Sequence, residues 1–194
     1  MTDVLLFHHA LGVTPGIGAI ADELRGAGHD VAVPDLFEGA TFGSVEAGIA
    51  HADEVGFDTI IERGVDAAQV HDGGLVVVGF SLGVLPAQKL AQTRAGVVGA
   101  VLCHAAIPLG EFADDWPSHV AVQIHMVEHD PWVEEDLDAA REIASTAFRG
   151  ELFLYPGTGH LVADKSAPEY DPVVGRKIIE RILGFVDNPT VESA

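Results

Sequence analysis

Two patterns of hydrophobic residues alternate along the chain. Short, continuous apolar runs rich in Val, Ile and Leu are typical of buried strands and predict six of them, at residues 3–8, 29–33, 75–79, 99–104, 120–127 and 151–155. Elsewhere, apolar residues recur every three or four positions, as on one face of a helix. This spacing holds for Ile17, Ile20, Ala21 and Leu24, for Leu137, Ala140, Ala144 and Phe148, and for Val174, Ile178, Ile182, Leu183 and Val186.

The alternation of strands and helices predicts an α/β fold. Residues 75–78 are apolar throughout, which indicates a strand buried on both faces, and helical connections permit parallel pairing. We therefore expect a mostly parallel sheet of about six strands with helices on both faces, formed by residues 1–186 as a single domain, with residues 187–194 as a C-terminal tail. Residues 39–56 are weakly patterned and fit either a partial helix or a mobile loop over the site, and residues 105–118 form a second such loop.

Composition and charge narrow the class of protein. The 194 residues are 48% hydrophobic and 21% charged, which suits one globular domain. Ten Lys and Arg against 30 Asp and Glu give a net charge of −20, so we expect neither nucleic acid nor a membrane surface as a partner. The single cysteine, Cys103, cannot form an internal disulfide, and no basic, apolar leader precedes the first strand. Both features predict a cytoplasmic protein.

A Gly-x-Ser-x-Gly motif follows the third predicted strand and opens a helix. It reads Gly79-Phe80-Ser81-Leu82-Gly83. A nucleophile on such a sharp strand-to-helix turn adopts a strained backbone, and the flanking glycines leave room for the neighbouring strand and helix. The Leu82 amide, at the helix N-terminus, would then face developing negative charge. The alternative is a plain turn whose glycines relieve crowding, but strand, turn and helix together favour Ser81 as a nucleophile.

Candidates for the base and the acid that a serine nucleophile needs follow the last two predicted strands. Asp130 comes just after the fifth strand, and His160 follows the sixth in a turn-rich loop. Both fall at carboxyl ends of strands, where α/β sheets bind their ligands. The order Ser81, Asp130, His160 is that of an α/β hydrolase. Glu128 and Asp136 are alternative acids, and Asp130 could instead be a capping residue ahead of a proline.

Histidines near the predicted site have two interpretations. His8 and His9 end the first strand, and the loop after them is where the second oxyanion donor arises in an α/β hydrolase, which makes the Ala10 amide the candidate. His104 ends the fourth strand and could join His8 or His9 in a metal site. No third ligand follows at a recognisable spacing, so we expect no metal.

With these residues in place, the sequence resembles the dienelactone hydrolase family of α/β hydrolases. The resemblance covers about residues 3–186 and rests on residues 7–14, 28–37, 79–83, 130–132 and 159–160. It implies hydrolysis of small esters or lactones by a nucleophile, an aspartate and a histidine. The residues in these roles are Ser81, Asp130 and His160, with Ala10 and Leu82 as the amides of the oxyanion hole.

Three positions depart from the family pattern. The best-known members carry cysteine where this chain has Ser81, so we expect the reaction of an ordinary serine esterase. They carry glutamate at the position of His9, and at the position of Asp164 they carry an arginine that holds a substrate carboxylate. Dienelactone itself is therefore not the expected substrate, and we expect Asp164 to disfavour anionic substrates near His160. No insertion is long enough to form a cap domain.

These features together predict a serine hydrolase that cleaves small carboxylic esters, lactones or thioesters through an acyl-enzyme intermediate. Water releases the acyl group, and no cofactor is needed. The residues expected to line the pocket are His9, Leu11, Phe37, His104, Trp132 and Asp164. The main alternative is a family member without activity that keeps the fold as a binding protein. The complete triad favours the enzyme.

Overall fold

The structure is a computed structural model, and it describes residues 1–189. Within that range the strands are β1 Asp3–Phe7, β2 Asp30–Ala32, β3 Leu75–Phe80, β4 Val97–Cys103, β5 Ala121–Val127 and β6 Gly150–Tyr155. The α-helices are α1 Pro15–Gly26, α2 Val45–Val55, α3 Phe57–Ala67, α4 Val84–Thr93, α5 Leu137–Thr146 and α6 Pro172–Asp187. Short 3-10 turns occupy Ala68–Val70 and Ser81–Gly83. Of the predicted tail, Asp187 is the last residue of α6, and residues 190–194 lie outside the described residues.

The strands form one parallel sheet in the order β2-β1-β3-β4-β5-β6. Strand β2 lies on one side of β1, and β3 lies on the other side. The strand order therefore reverses between β1 and β3. Ligands of α/β sheets bind at such a reversal, outside the carboxyl ends of the strands. Phe7 of β1 is paired with Gly79 of β3, which brings the segments that follow these two strands side by side.

Alternate residues of each strand face opposite sides of the sheet and build two cores. Leu5 and Phe7 pack with side chains of α2 to α5, whereas Val4 and Leu6 pack with side chains of α1 and α6. Helices therefore cover both faces, and the predicted α/β fold is confirmed. The described residues form this one layered unit without a separate cap domain.

Short polar residues and prolines determine where α1 and α6 begin. The Thr14 hydroxyl accepts a hydrogen bond from the Ile17 amide, and Pro15 is the first residue of α1. Asp171 and Pro172 have the same roles at the start of α6. None of the helices within residues 1–189 has the length and hydropathy that crossing a membrane requires.

The structure decides three segments whose pattern is ambiguous or extends too far. Residues 39–56 contain α2, whose first turn is capped by the Ser44 hydroxyl, so the helical interpretation is the one observed. Residues 105–118 contain neither helix nor strand, as expected of a loop. Phe148, which the pattern assigned to a helix face, lies beyond the end of α5 at Thr146 and is 51% exposed.

Candidate active site

Ser81 lies on a sharp turn between β3 and α4. Its φ of 49° is in the left-handed region, which costs conformational energy for a serine. A Cβ added to Gly79 would lie 2.5 Å from the Gly83 carbonyl oxygen, and one added to Gly83 would lie 2.5 Å from the Phe7 carbonyl oxygen. The turn is therefore packed against α4 and the end of β1 too tightly for a side chain at either glycine.

The side chains of Ser81, His160 and Asp130 form a continuous chain of hydrogen bonds. Ser81 Oγ lies 2.7 Å from His160 Nε2, and His160 Nδ1 lies 2.6 Å from Asp130 Oδ2. Because an ionised carboxylate can only accept, Nδ1 carries the proton that it donates to Asp130. Nε2 is then left to accept the hydroxyl proton of Ser81. This is the tautomer that a general base for serine requires.

Of the three candidate acids, Asp130 is the one that contacts the His160 ring. Its Oδ1 also accepts a hydrogen bond from the Trp132 amide, which fixes the carboxylate in the turn after β5. Glu128 is exposed at the surface. Asp136 accepts a hydrogen bond from a backbone amide of the loop after β4. Of the three candidates, Asp130 is therefore the one whose geometry fits the orienting acid.

A second carboxylate holds the loop that carries His160. Glu169 accepts hydrogen bonds from the amides of His160 at 2.7 Å and Leu161 at 3.2 Å. Gly157, near the start of this loop, has a φ of 136°, a conformation that favours glycine. Glu169 was not predictable from the sequence, because a residue nine positions further along an irregular loop leaves no spacing pattern.

The candidate oxyanion donors, the amides of Ala10 and Leu82, lie in the segments that follow two neighbouring strands. Ala10 follows β1, Leu82 follows β3, and the two strands are paired. Ala10 is completely buried, and α2 passes so close that a Cβ on Gly48 would lie 1.7 Å from the Ala10 carbonyl oxygen. The backbone that carries the two candidate oxyanion donors is therefore closely packed.

An open cleft lies over Ser81. Its lining side chains include Val45, Ile49, Phe57, His104, Trp132 and Asp136. A second pocket beside it shares Val45 and Trp132 and also contains Leu11. Burial raises the pKa of Asp136 above its ordinary value. Of the expected pocket residues, His104 and Trp132 thus line the cleft and Leu11 adjoins it. Helices α2 and α3 contribute walls of the cleft that the sequence did not predict.

Three residues expected in the pocket lie elsewhere. Phe37 is buried against the rings of His8 and His51. His9 and Asp164 are buried against each other, with His9 Nε2 2.7 Å from Asp164 Oδ2. The pocket role expected of Asp164 is therefore corrected: its carboxylate is hydrogen-bonded inside the protein and does not line the cleft.

His104 is packed against the catalytic candidate His160. Their ring centroids are 5.9 Å apart, and the His104 backbone has a φ of 63°. Burial, together with the neighbouring histidines, lowers the pKa of His104 well below its ordinary value. Across residues 1–189, no three side chains of His, Cys, Asp or Glu converge as metal ligands, and this includes His8 and His9.

A parallel sheet with a serine at a strand-to-helix turn, hydrogen-bonded to a histidine and an aspartate from later strand ends, defines an α/β hydrolase. A sequence model of the dienelactone hydrolase family matches residues 1–188. The chain belongs to the dienelactone hydrolase family and is a hydrolase of the α/β fold.

Solved structures with a similar fold cover nearly all of the chain. A candidate dienelactone hydrolase from Klebsiella pneumoniae subsp. pneumoniae has 16% identity and a TM-score of 0.73 over 97% of this chain and 87% of that one. A dienelactone hydrolase-like promiscuous phosphotriesterase from metagenomic libraries has 17% identity and a TM-score of 0.76 over 96% and 86%. A cold-adapted esterase from an Arctic intertidal metagenomic library has 15% identity and a TM-score of 0.68 over 98% and 83%. No curated protein sequence matches the chain.

Proposed function

We propose that this protein is a serine hydrolase that cleaves small carboxylic esters, lactones or thioesters through an acyl-enzyme at Ser81. The observation that carries the proposal is the hydrogen-bonded chain from Ser81 Oγ through the His160 ring to Asp130, at 2.7 and 2.6 Å. A serine hydroxyl without such a base is a poor nucleophile. Membership of the dienelactone hydrolase family and the likeness in fold to an esterase support the same class of reaction.

In the first half of the reaction, Ser81 Oγ attacks the acyl carbon while its proton passes to His160 Nε2. Asp130 stays ionised and stabilises the imidazolium through the hydrogen bond from Nδ1. The carbonyl oxygen takes the negative charge of the tetrahedral intermediate, and the amides of Ala10 and Leu82 donate hydrogen bonds to it. The intermediate then expels the alcohol or thiol, which takes the proton from Nε2 and leaves the acyl group on Ser81.

Water completes the cycle. His160 Nε2 removes a proton from a water molecule, whose oxygen attacks the acyl carbon. The second tetrahedral intermediate uses the same two amides and releases the carboxylic acid, while Ser81 Oγ regains its proton from Nε2. These steps pass protons and electron pairs among Ser81, His160, substrate and water, so the proposed reaction needs no cofactor.

The surroundings of Ser81 favour small, uncharged substrates. Val45, Ile49 and Trp132 supply apolar surface, and the described lining contains neither lysine nor arginine. Asp136 adds a carboxylate to the same cleft. A neutral ester with a short acyl group matches such walls, whereas a substrate carboxylate would meet repulsion and no partner. Dienelactone, which carries a carboxylate, is therefore outside the proposed substrate class.

We further propose that the protein works in the cytoplasm. Its single cysteine, Cys103, is buried in β4, and burial raises the pKa of the thiol well above its ordinary value. A thiol held in its neutral form in an apolar strand behaves as a small hydrophobic residue and fits a reducing compartment.

A fluorophosphonate probe, which reacts covalently with the activated serine of serine hydrolases, tests the proposed function. We expect the wild-type protein to take up the label and lose esterase activity in parallel, and Ser81→Ala to take up none. Ser145→Ala changes an exposed serine of α5 and is the matched control, which should label like the wild type. Folded wild-type protein that takes up no label and hydrolyses no p-nitrophenyl acetate would favour the binding protein instead.

A further inference from the structure

The Ala10 amide is aimed by the carbonyl group with which it shares a peptide bond. That carbonyl belongs to His9, and its oxygen accepts hydrogen bonds from His8 Nδ1 at 2.8 Å and from the Gly12 amide at 3.0 Å. The peptide is trans, so its N–H points away from its C=O. Fixing the oxygen on one side therefore fixes the direction of the Ala10 N–H on the other.

His8 holds this carbonyl with a ring whose two nitrogens are both engaged. While Nδ1 donates to the His9 oxygen, Nε2 accepts a hydrogen bond from the Leu36 amide at 3.0 Å. Burial lowers the pKa of His8 to about 4, so the ring is neutral near pH 7. Its tautomer is thus determined by the backbone on both sides, and a proton stays on the nitrogen that faces the His9 carbonyl.

His9 connects the loop that carries Ala10 with the loop that carries His160. His9 Nδ1 accepts a hydrogen bond from the Leu11 amide at 3.2 Å, so the ring proton lies on Nε2, which donates to Asp164 at 2.7 Å. Asp164 lies four residues after His160 in the chain. A buried hydrogen bond therefore joins the loop of the candidate base to the loop of the candidate oxyanion donor.

Asp164 is surrounded by donors that keep it ionised. Besides the His9 ring, the Thr14 hydroxyl and both the amide and the hydroxyl of Ser166 donate to it, at 2.5, 2.7 and 2.6 Å. Burial alone would raise the pKa of Asp164, but the hydrogen bonds from His9, Ser166 and Thr14 outweigh it and hold the pKa well below its ordinary value. Gly16 provides the space, because a Cβ there would overlap the carboxylate.

We propose that His8 and His9 are positioning residues that orient the Ala10 amide toward the oxyanion, with Asp164 as the anchor of His9. The two rings are 0% and 1% exposed, so they act through Ala10 rather than by touching substrate. The inference rests on the proposed function, because an oxyanion forms only when Ser81 attacks an acyl group. A misdirected oxyanion donor weakens binding of the transition state more than binding of the substrate, which lowers kcat and leaves KM nearly unchanged.

Replacing each histidine by leucine removes its hydrogen bonds and keeps much of its bulk. We expect His8→Leu and His9→Leu to lower kcat by about 10- to 100-fold, with KM for p-nitrophenyl acetate within about twofold of the wild type. The affinity for a boronic acid inhibitor, which imitates the tetrahedral intermediate, should fall by the same factor as kcat. His9→Gln can still donate to Asp164 and accept from the Leu11 amide, so it should recover most of the lost kcat.

A histidine far from the site provides the matched control. The His71 ring lies 3.4 Å from Asp3, at the amino end of β1, and His71→Leu should keep wild-type kcat and inhibitor affinity. Thermal unfolding establishes that each variant is folded. Where a leucine variant does not fold, His8→Gln or Asp164→Asn replaces it, with a smaller loss of kcat expected in the same direction.

The experiments distinguish failure of the positioning role from failure of the proposed function. Folded His8 and His9 variants with wild-type kcat and inhibitor affinity would overturn the positioning role and leave the proposed function intact. Loss of kcat without a matching loss of inhibitor affinity would also overturn it, because a general structural defect gives no such correlation. A Ser81→Ala protein that still hydrolyses the ester at the wild-type rate would instead overturn the proposed function itself.

Discussion

Asp130 acts in the proposed reaction solely through the His160 ring, which lies 2.6 Å away. An asparagine in its place offers an N–H to the ring and favours the tautomer in which Nε2 carries the proton. Such a ring cannot accept from Ser81, so we expect Asp130→Asn to lower kcat by about 10³- to 10⁴-fold, and Ser81→Ala or His160→Ala to lower it further. Steady-state hydrolysis of p-nitrophenyl acetate measures kcat for each of these variants. Near wild-type turnover in Asp130→Asn would mean that another acid orients the ring, and Asp136, which lines the same cleft as His160, would be tested first.

The candidate catalytic residues were predictable from the sequence because each lies close to the end of a strand. Ser81, Asp130 and His160 each come within five residues of the end of a strand, so their common edge of the sheet could be inferred. Asp164 carried no comparable signal, because its partner His9 lies 155 positions earlier in the chain. The contact exists because two loops meet in the folded protein, and local spacing contains no information about it.

The turn at residues 81–83 packs closely against the end of strand β1, and Gly83 lies at this junction. A Cβ on Gly83 would lie 2.5 Å from the Phe7 carbonyl oxygen, so Gly83→Ala must separate β1 from α4. We expect a loss of about 1–3 kcal/mol in the free energy of unfolding. We also expect a lower kcat, because β1 leads into Ala10. Urea unfolding and ester hydrolysis measure the two effects.

Gly18→Ala is the matched control for this substitution. Gly18 lies within α1, and nothing is within 4 Å of a Cβ added there. Alanine favours a helix interior over glycine by about 0.5–1 kcal/mol, so this variant should be slightly more stable than the wild type and equally active. Equal stability of the Gly83 and Gly18 variants would contradict the tight packing described for the turn.

Helix α2 shows why some of the fold could not be read from local pattern. Val45, Ile49 and Ala52 have helical spacing, but glycines interrupt residues 39–56 and weaken the intrinsic preference for a helix. In the structure, Gly48 lets α2 pack directly against the loop after β1. Packing of this kind, rather than propensity, stabilises most short helices. The strands were easier to predict, because a short, continuous apolar run is typical of a strand that is buried on both faces of a parallel sheet.

Buried neutral histidines make the protein sensitive to acid. Burial lowers the pKa of His8 to about 4 and that of His125 to about 3, whereas both titrate near 6.5 when unfolded. The unfolded chain therefore binds more protons than the folded protein below pH 6.5. Each histidine should remove about 1.4 kcal/mol of stability per pH unit as the pH falls from 6.5 toward its folded pKa.

Urea unfolding between pH 7 and pH 4.5 measures this loss. We expect stability to fall steeply below pH 6.5 in the wild type and less steeply in His125→Asn, which removes one of the buried neutral histidines. His119→Asn changes an exposed histidine and should keep the wild-type slope. The same slope in wild type and His125→Asn would show that His125 is not held neutral by burial.

The net charge of −20 should select against anionic substrates even though Asp164 is turned inward. The negative field slows the encounter with an anion, and Asp136 adds a carboxylate within the cleft. A neutral ester should therefore exceed a matched anionic ester with the same leaving group in kcat/KM. Salt screens both effects, so the gap should narrow at higher ionic strength, and Asp136→Asn should narrow it at low ionic strength. If the ratio of the two kcat/KM values changed neither with salt nor in Asp136→Asn, charge would not explain the specificity.

An acyl group on Ser81 is the species on which the proposed reaction depends. Rapid acid quenching within the first turnover of p-nitrophenyl acetate, followed by digestion and mass spectrometry, locates it directly. We predict one acetyl group on the peptide that contains Ser81, formed no more slowly than steady-state turnover, and no acetyl group on that peptide in His160→Ala. Full turnover by the wild type without acetylation of Ser81 at any time within that turnover would contradict the proposed reaction.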